Sequence, residues 1–321
     1  TLVEPNEQVI PQLRSLFQDF GLEERISALV HSDIEAFTSD RLYDVILAEG
    51  FLFTLPDRDE MVQKISQLLN PRGFTVISFN DRYGLLLEMT RRAILWRCYQ
   101  LANINDEHSD EALTIAKQLY EEDFSRLNAS RPFAAWWKDV LVNPFLTSSY
   151  FWSYSDLIDL GKSCNLEFYS SSPKWDEIDS FKWYKNVLSS ESRCTILLDR
   201  WRQFFPFFLT GLPPATGGIE LPASWEVVES VSQFVDRLSE FTTALDRPIS
   251  NVVYPETLEE YLSQHPDERL SQFNREMKTL YDVAKSSGFD DLISAYQSAQ
   301  QLRNLWGSPY QYICFSKTSD R

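Results

Sequence analysis

The sequence predicts an α/β fold in which a mostly parallel sheet is flanked by helices and carries large helical insertions. The first 90 residues alternate short apolar strands with amphipathic segments, and such a βαβ series builds a parallel sheet covered by helices. Two further strand-like stretches, LEFYSSS and PYQYICFSK, come much later in the chain. With 43% hydrophobic residues, the 321-residue chain can bury a sizeable core.

The first 90 residues contain four predicted strands and two predicted helices. Apolar residues at helical spacing predict a helix after TLVE, and Gly21 ends it. The continuous apolar run YDVILAEGF predicts a strand buried on both faces. Pro71 and Gly73 predict a turn at residues 70–73. The predicted strands cover residues 1–4, 25–33, 43–51 and 74–81, and the predicted helices cover 6–20 and 58–69.

The later part of the chain is predicted to be mainly helical. We expect an α/β core made of residues 1–90, 155–172 and 309–321. Residues 91–154 then form a helical lid or acceptor-binding insertion. Residues 173–308 form a second helical insertion between the last two strands, with three strong helices between 222 and 305. The Pro- and Gly-rich segment 211–222 is the best candidate linker.

Composition excludes several classes of function. The net charge of −17 argues against nucleic acid and against an anionic membrane surface, because phosphate binding needs an excess of Lys and Arg. No apolar run reaches the length of a membrane-spanning helix. None of the four cysteines forms a CxxC pair, and no metal-ligand spacing occurs. We therefore expect a cytoplasmic protein with reduced thiols and no metal.

Each of the four early strands is followed by polar or acidic residues. Parallel sheets bind ligands at the carboxyl ends of their strands, so these residues are the first candidates for a site. A carboxylate accepts two hydrogen bonds and suits the vicinal hydroxyls of a ribose. The candidates are Glu4 after the first strand, Asp33 and Ile34 after the second, Glu49, Gly50 and Phe51 after the third, and Asn80 and Asp81 after the fourth.

This pattern resembles the class I methyltransferases that use S-adenosylmethionine, which have a Rossmann-like sheet. The resemblance covers about residues 1–90 and the last two strands. It implies that Glu4, in TLVEPN, binds the ribose hydroxyls, and that Asp33, in SDIEAF, contacts the adenine amine beside Ile34. It further implies that the loop AEGFLFTLPDR, with Glu49, Gly50 and Phe51, lines the methyl-donor pocket.

One part of the family pattern is absent from the sequence. The family's first strand ends in a Gly-rich turn, commonly GxGxG, which passes under the methionine portion of the cofactor. None of the ten glycines belongs to such a motif, and TGG at 216–218 lies in the candidate linker. The resemblance therefore begins at the family's second strand. Truncation is our preferred expectation; the alternatives are a first strand supplied by another segment and a degenerate cofactor site.

The candidate cofactor residues also have simpler interpretations. Glu4 is favourable near the start of a helix through the helix dipole alone. Asp33 suits the N-cap of a short turn. Glu49 is harder to explain in this way, because it ends a strand predicted to be buried, and a buried charge needs a partner.

The insertions suggest an acceptor pocket for a small molecule, such as a sugar or a secondary metabolite. Arg91 and Arg92 are candidates for holding an anionic acceptor, although surface ion pairs explain them equally well. Aromatic residues are candidates for the pocket wall, and the core of a helical cap is the alternative. These candidates are Phe53, Trp136, Trp137, Tyr150 and Trp152. No Asn/Asp-Pro-Pro-Tyr motif of the nucleic-acid amino-methylating enzymes is present.

Two functions of different classes follow from the sequence. The first is S-adenosylmethionine-dependent methyl transfer to a small-molecule acceptor. That reaction is an in-line displacement, which needs proximity and alignment more than acid–base groups. The second is a catalytically inactive methyltransferase-like protein that binds or scaffolds a partner through its helical block. Neither the catalytic residues nor the oligomeric state follows from the sequence.

Overall fold

The computed structural model describes residues 1–175, 188–214 and 221–318, which form a mixed α/β protein with two small sheets. The six strands are β1 (Leu2–Glu4), β2 (Leu29–His31), β3 (Tyr43–Ala48), β4 (Leu69–Asn80), β5 (Leu166–Ser172) and β6 (Tyr310–Lys317). The first two helices are α1 (Ile10–Asp19) and α2 (Arg58–Leu68). No helix among the described residues is long and apolar enough to cross a membrane.

The two sheets differ in size and in strand direction. Strands β1 and β2 are parallel and form a two-stranded sheet, with Glu4 opposite His31. The second sheet has the order β3-β4-β6-β5, in which β3 and β4 are parallel while β6 is antiparallel to both of its neighbours. A parallel arrangement is therefore confirmed for the early strands only within each pair, and the late strand β6 makes the larger sheet mixed.

Helices make up the rest of the fold. The first insertion contains α3 (Leu86–Leu101), α4 (Asp110–Ser125), α5 (Phe133–Trp136) and a π-helical turn over Trp137–Leu141, followed by α6 (Tyr154–Ser163) before β5. The second contains α7 (Ser190–Gln203), α8 (Phe205–Thr210), α9 (Trp225–Phe241), α10 (Glu256–Gln264), α11 (Glu268–Ser286), α12 (Phe289–Ser298) and α13 (Gln300–Arg303). Residues 176–187, 215–220 and 319–321 of the predicted ranges, including the centre of the candidate linker, lie outside the described residues.

The two insertions and the larger sheet share one hydrophobic core. Helix α3 is buried along most of its length and packs against α4 and the π-helical turn of the first insertion. It also packs against α8, α9 and α12 of the second insertion. The buried apolar side chains of the sheet and of both insertions form a single cluster. The helical insertions therefore complete the core instead of forming a separate body.

The prediction that β3 is buried on both faces is wrong. The side chains of Val45 and Leu47 are 57% and 63% exposed. Both project from the same face of the strand, because side chains alternate along a strand. Strand β3 lies at the edge of its sheet, with β4 as its only neighbour among the described strands, and no described helix covers that face. A continuous apolar run predicts burial only if both faces of the strand have partners.

The predicted turn at 70–73 lies within β4. Tyr43 is opposite Leu69 and Val45 is opposite Phe74, so residues 70–73 bulge out of the pairing. Arg72 has a φ of 65°, a left-handed conformation typical of tight turns. The predicted turn is therefore an irregularity within strand β4 and not a turn that precedes the strand.

A close main-chain approach joins the start of α3 to the segment before β6. A Cβ added to Gly84 would overlap with the main chain of Ser308 and Pro309. The carbonyl of Pro309 also accepts a hydrogen bond from the amide of Asp81, with an N···O distance of 2.7 Å. Only glycine allows this contact between two segments more than 200 residues apart.

We expect Gly84→Ala to lower the free energy of unfolding by about 2 kcal/mol or more, because the added methyl group must displace buried main chain. Gly288→Ala is the matched control: Gly288 has a φ of −81° and open space at its Cβ position. Denaturant titration of both variants measures the difference. Equal stabilities of the two variants would show that the contact is loose.

Candidate functional site

Glu4 and Asp33 lie close together at the carboxyl ends of β1 and β2. Glu4 is opposite His31 in the strand register, and its carbonyl accepts a hydrogen bond of 3.2 Å from the amide of Ser32. The His31 ring bonds to the carbonyl of Pro5 across the same ends, with an Nε2···O distance of 3.1 Å. The two candidate acids are therefore brought to one edge, as the sequence predicted.

The hydrogen bonds of the two acids are local. Oε1 of Glu4 accepts from the amide of Asn6 at 2.8 Å, and Oδ1 of Asp33 accepts from the amide of Ala36 at 2.6 Å. Asp33 thus caps a short turn, which is the simpler interpretation that the sequence left open. Each carboxylate uses one oxygen in this way, and no hydrogen bond to the second oxygen is found among the described residues. Ile34 is half-buried and packs against the main core.

The loop after β3 is held by a hydroxyl network. Gly50 has a φ of 80°, and its amide donates a 2.8 Å hydrogen bond to Oγ of Ser78 on β4. The Tyr310 hydroxyl donates to the same Ser78 oxygen at 2.8 Å. Phe53 packs edge-to-face against the Tyr310 ring, and Phe51 is half-buried against the core. Strand β6 therefore sets the shape of this loop. The sequence did not predict this contact, because β6 and the loop are far apart in the chain.

Glu49 is not a buried charge. It lies in the exposed part of the loop that follows the edge strand β3. The expectation that Glu49 requires a buried partner is therefore wrong, for the same reason that the burial of β3 was overestimated. Its carboxylate is accessible to a ligand at this edge.

A polar cavity of about 480 Å³ lies beyond the carboxyl end of β4. Arg82 lies in the wall of this cavity. Its guanidinium forms an ion pair with Asp236 and donates a hydrogen bond to the carbonyl of Ser148 at 3.3 Å. The N-terminus of α6 contributes a capping box in which Ser153 and Asp156 bond to each other. The cavity is lined by Arg82, Tyr83, Ser153, Ser155, Asp156, Trp225, Val228, Glu229, Ser232 and Asp236.

Asp81 is a fully buried carboxyl next to this cavity. Its Oδ1 accepts hydrogen bonds from the amides of Tyr83 and Gly84, at 2.8 Å and 2.9 Å. Its Oδ2 has no hydrogen-bond partner in the described structure. Burial raises the pKa of Asp81 to about 7, because desolvation outweighs the two amide bonds and the nearby Arg82 guanidinium. The sequence placed Asp81 at the end of a strand but did not reveal its burial.

Arg91 and Arg92 are interior residues. Nη2 of Arg91 donates to the carbonyls of Leu302 and Leu305, at 3.2 Å and 2.6 Å, and its guanidinium lies 4.0 Å from the centre of the Trp306 ring. Nη1 of Arg92 donates to the carbonyls of Asn143 and Leu146, at 2.7 Å and 3.0 Å. These contacts favour a structural role, because both cations join α3 to neighbouring segments. Among the described residues, neither arginine forms the surface ion pair offered as an alternative.

The candidate aromatic wall is mostly core. Trp136, Trp137 and Trp152 are each less than 5% exposed. Trp136 stacks on Phe124, and Nε1 of Trp137 donates to the Tyr99 hydroxyl at 3.1 Å. The Trp152 ring lies under the Arg58 guanidinium, and Tyr150 is half-buried near Phe145. These positions favour the alternative that the aromatic residues form the core of the helical part.

Trp225, in the segment 222–305 that was predicted to be helical, lies at the cavity. It is 52% exposed and occupies the first position of α9. The signal in the sequence is a large aromatic residue at the first position of an amphipathic helix. No group of three or more His, Cys, Asp or Glu side chains arranged to hold a metal ion is found among the described residues.

We expect Asp81→Asn to flatten the dependence of stability on pH. A carboxyl whose pKa is raised from 3.8 to about 7 favours the folded state below pH 4, and this contribution is lost as the pH rises through about 7. The full effect is up to about 4 kcal/mol. Asparagine keeps an oxygen for the amides of Tyr83 and Gly84 and does not ionise.

Denaturant titrations between pH 4.5 and 8 measure this effect. Asp290→Asn, at an exposed position in the first turn of α12, is the control with the same change in net charge. If both variants lose stability with pH as the unmodified protein does, the burial of an ionisable Asp81 is contradicted.

The chain was compared with family models and with curated proteins. No family model matches the chain, and no curated protein matches it significantly. Any assignment of function must therefore rest on the arrangement of the residues described above.

Proposed function

We propose that the protein is a methyltransferase that uses S-adenosylmethionine and acts on a polar small molecule, built on a Rossmann-like fold. The observation that carries the proposal is the strand arrangement. The late strand β6 enters antiparallel between β4 and β5, while the early strands form parallel pairs. The resemblance takes LEFYSSS and QYICFSK as the last two strands of the family's sheet, and these two strands, β5 and β6, share a sheet with the early strands β3 and β4.

The position of the acids supports cofactor binding at the strand ends. Glu4 and Asp33 lie at the ends of neighbouring parallel strands and present carboxylate oxygens that are not used by the local turns. The free oxygens suit the ribose hydroxyls and the adenine amine, with Ile34 beside them as an apolar surface. Glu49, Gly50 and Phe51 follow β3 and line the donor pocket in this proposal.

The cavity beyond β4 supports a polar acceptor. It lies beyond the carboxyl end of β4, and the loop after β3 follows the carboxyl end of the parallel neighbour of β4. Its carboxylates and serine hydroxyls suit a ligand that carries hydroxyl or amino groups. When bound, S-adenosylmethionine would supply a methyl group to the acceptor's lone pair, with its carbon–sulfur bond as the bond that breaks. Water or an exposed carboxylate of the cavity, such as Glu229, would take up the acceptor's proton.

We expect weak binding of S-adenosylhomocysteine to residues 1–321, because no Gly-rich turn in this sequence cradles the amino-acid portion of the ligand. Saturation-transfer NMR suits such binding and reports which ligand protons touch the protein. The ribose and adenine protons should receive saturation. Glu4→Gln should weaken binding about tenfold, which corresponds to the loss of one charge-assisted hydrogen bond.

Glu24→Gln is the control, since Glu24 is exposed and lies outside the strand ends. Absence of saturation transfer to the nucleoside protons would overturn the assignment of the cofactor. Equal binding by the Glu4 and Glu24 variants would overturn the assignment of the site. In the first case the inactive binding protein becomes the better interpretation.

A further inference from the structure

The cavity beyond β4 carries negative charge that its own residues do not balance. The carboxylates of Asp156, Glu229 and Asp236 line it, together with the guanidinium of Arg82. Arg82 forms an ion pair with Asp236 and also donates to the carbonyl of Ser148. Within the described parts of the chain, neither Asp156 nor Glu229 forms an ion pair. The cavity therefore contains two carboxylates without a positive partner.

Each of these two carboxylates keeps one oxygen free. Oδ2 of Asp156 accepts hydrogen bonds from the amide and the hydroxyl of Ser153, at 2.8 Å and 2.9 Å. Oε1 of Glu229 accepts one from Nε2 of Gln233 at 3.0 Å. No described residue donates to Oδ1 of Asp156 or to Oε2 of Glu229. Because carboxylate oxygens only accept hydrogen bonds, these two atoms suit a ligand that donates them, and a positively charged donor forms the stronger bonds.

The two free carboxylates come from different helices. Asp156 lies in the first turn of α6. Glu229 belongs to one face of α9, on which the lining residues Trp225, Glu229, Ser232 and Asp236 recur every three or four positions. The cavity between these helices has a volume of about 480 Å³, which is typical of sites for small molecules. A small ligand can therefore contact both helices.

The Tyr83 hydroxyl is another unused polar group of the lining. The Tyr83 side chain is 8% exposed, and its ring packs against Trp201 and Phe205 with ring centres 5.0 Å and 5.5 Å away. No described residue forms a hydrogen bond with the hydroxyl, yet its oxygen is not one of the fully enclosed atoms that lack a partner. Since Tyr83 lines the cavity, the hydroxyl is accessible from there. Buried hydroxyls normally have a partner, and a ligand would supply one here.

The cations around the cavity are already engaged, which disfavours an anionic ligand. Arg82 has Asp236 as its partner. The guanidinium of Arg202 lies 5.0 Å from the centre of the Trp225 ring, and it has its own carboxylate partner in Asp199, with an N···O distance of 3.8 Å. Neither arginine balances the two free carboxylates, so the charge of the site favours a cation.

We propose that this cavity binds an aliphatic amine in its protonated form. The N–H groups of the ammonium donate to the free oxygens of Asp156 and Glu229, and the Tyr83 hydroxyl accepts from the ligand. The further statement that this amine is the methyl acceptor rests on the proposed function. The binding of the amine does not, because it depends only on the residues of the cavity.

Calorimetric titration with three ligands of equal carbon-chain length tests the charge of the site. The ligands are putrescine, which is a short linear diamine, the corresponding diol, and succinate, the corresponding dianion. At low ionic strength, where exposed charges are least screened, we expect putrescine to bind at least about tenfold more tightly than the diol. Succinate should not bind. Equal affinity for the diamine and the diol, or tighter binding of succinate, overturns the proposal.

Substitutions distinguish this site from general attraction to an acidic protein. Glu229→Gln keeps an oxygen for Gln233 and removes the charge, so it should weaken putrescine binding about fivefold, the scale of an exposed ion pair. Tyr83→Phe should weaken it about threefold, the scale of one neutral hydrogen bond. Glu121→Gln is the control with the same change in net charge, since Glu121 is exposed on α4 and does not line the cavity. Equal weakening by the Glu229 and Glu121 variants overturns the site.

Titrations without a cofactor separate this inference from the proposed function. If putrescine binds as expected while S-adenosylhomocysteine gives no saturation transfer, only the proposed function is overturned. If S-adenosylhomocysteine binds but the cavity does not distinguish the diamine from the diol, only the inference about the amine is overturned.

Discussion

The pairing of β6 with both β4 and β5 is the constraint on which the rest of the fold depends. Without this strand, β4 and β5 would have no common neighbour in the sheet. Because β5 precedes the second insertion and β6 follows it, their pairing forces the helices between them to return to the sheet. The close contact of Gly84 with Ser308, the Tyr310–Ser78 hydrogen bond and the loop at Gly50 all follow from this single insertion.

The same pairing explains why the candidate site combines residues from distant parts of the chain. The loop after β3 is shaped by Tyr310, which lies more than 250 residues later in the chain. The cavity beyond β4 is lined by residues of α6 and α9. Asp81 becomes buried because β6, α3 and the bridge to Trp152 surround the end of β4. An ordinary strand-end carboxyl therefore acquires a raised pKa through long-range packing.

Local patterns in the sequence predicted the elements well where the cause was local. The strand LEFYSSS matches β5 residue for residue, and the helical stripes match α1, α2 and the major helices of the second insertion. Ser224 and Ser153 each cap the start of a helix through a hydrogen bond to an amide three residues later. The sequence also predicted that Glu4 and Asp33 lie at the same edge, because the carboxyl ends of two parallel strands meet there.

The rest depended on partners that lie far away in the chain. Arg91 and Arg92 resemble surface residues in sequence, yet carbonyls from segments 50 to more than 200 residues away hold them inside. Val45 and Leu47 resemble core residues, yet their strand is at an edge. The central claim is a cofactor site at the carboxyl ends of β1, β2 and β3. A crystal structure of residues 1–321 with S-adenosylhomocysteine tests it most directly. We predict ribose hydroxyls within hydrogen-bond distance of the Glu4 carboxylate. A ligand bound elsewhere would contradict the claim.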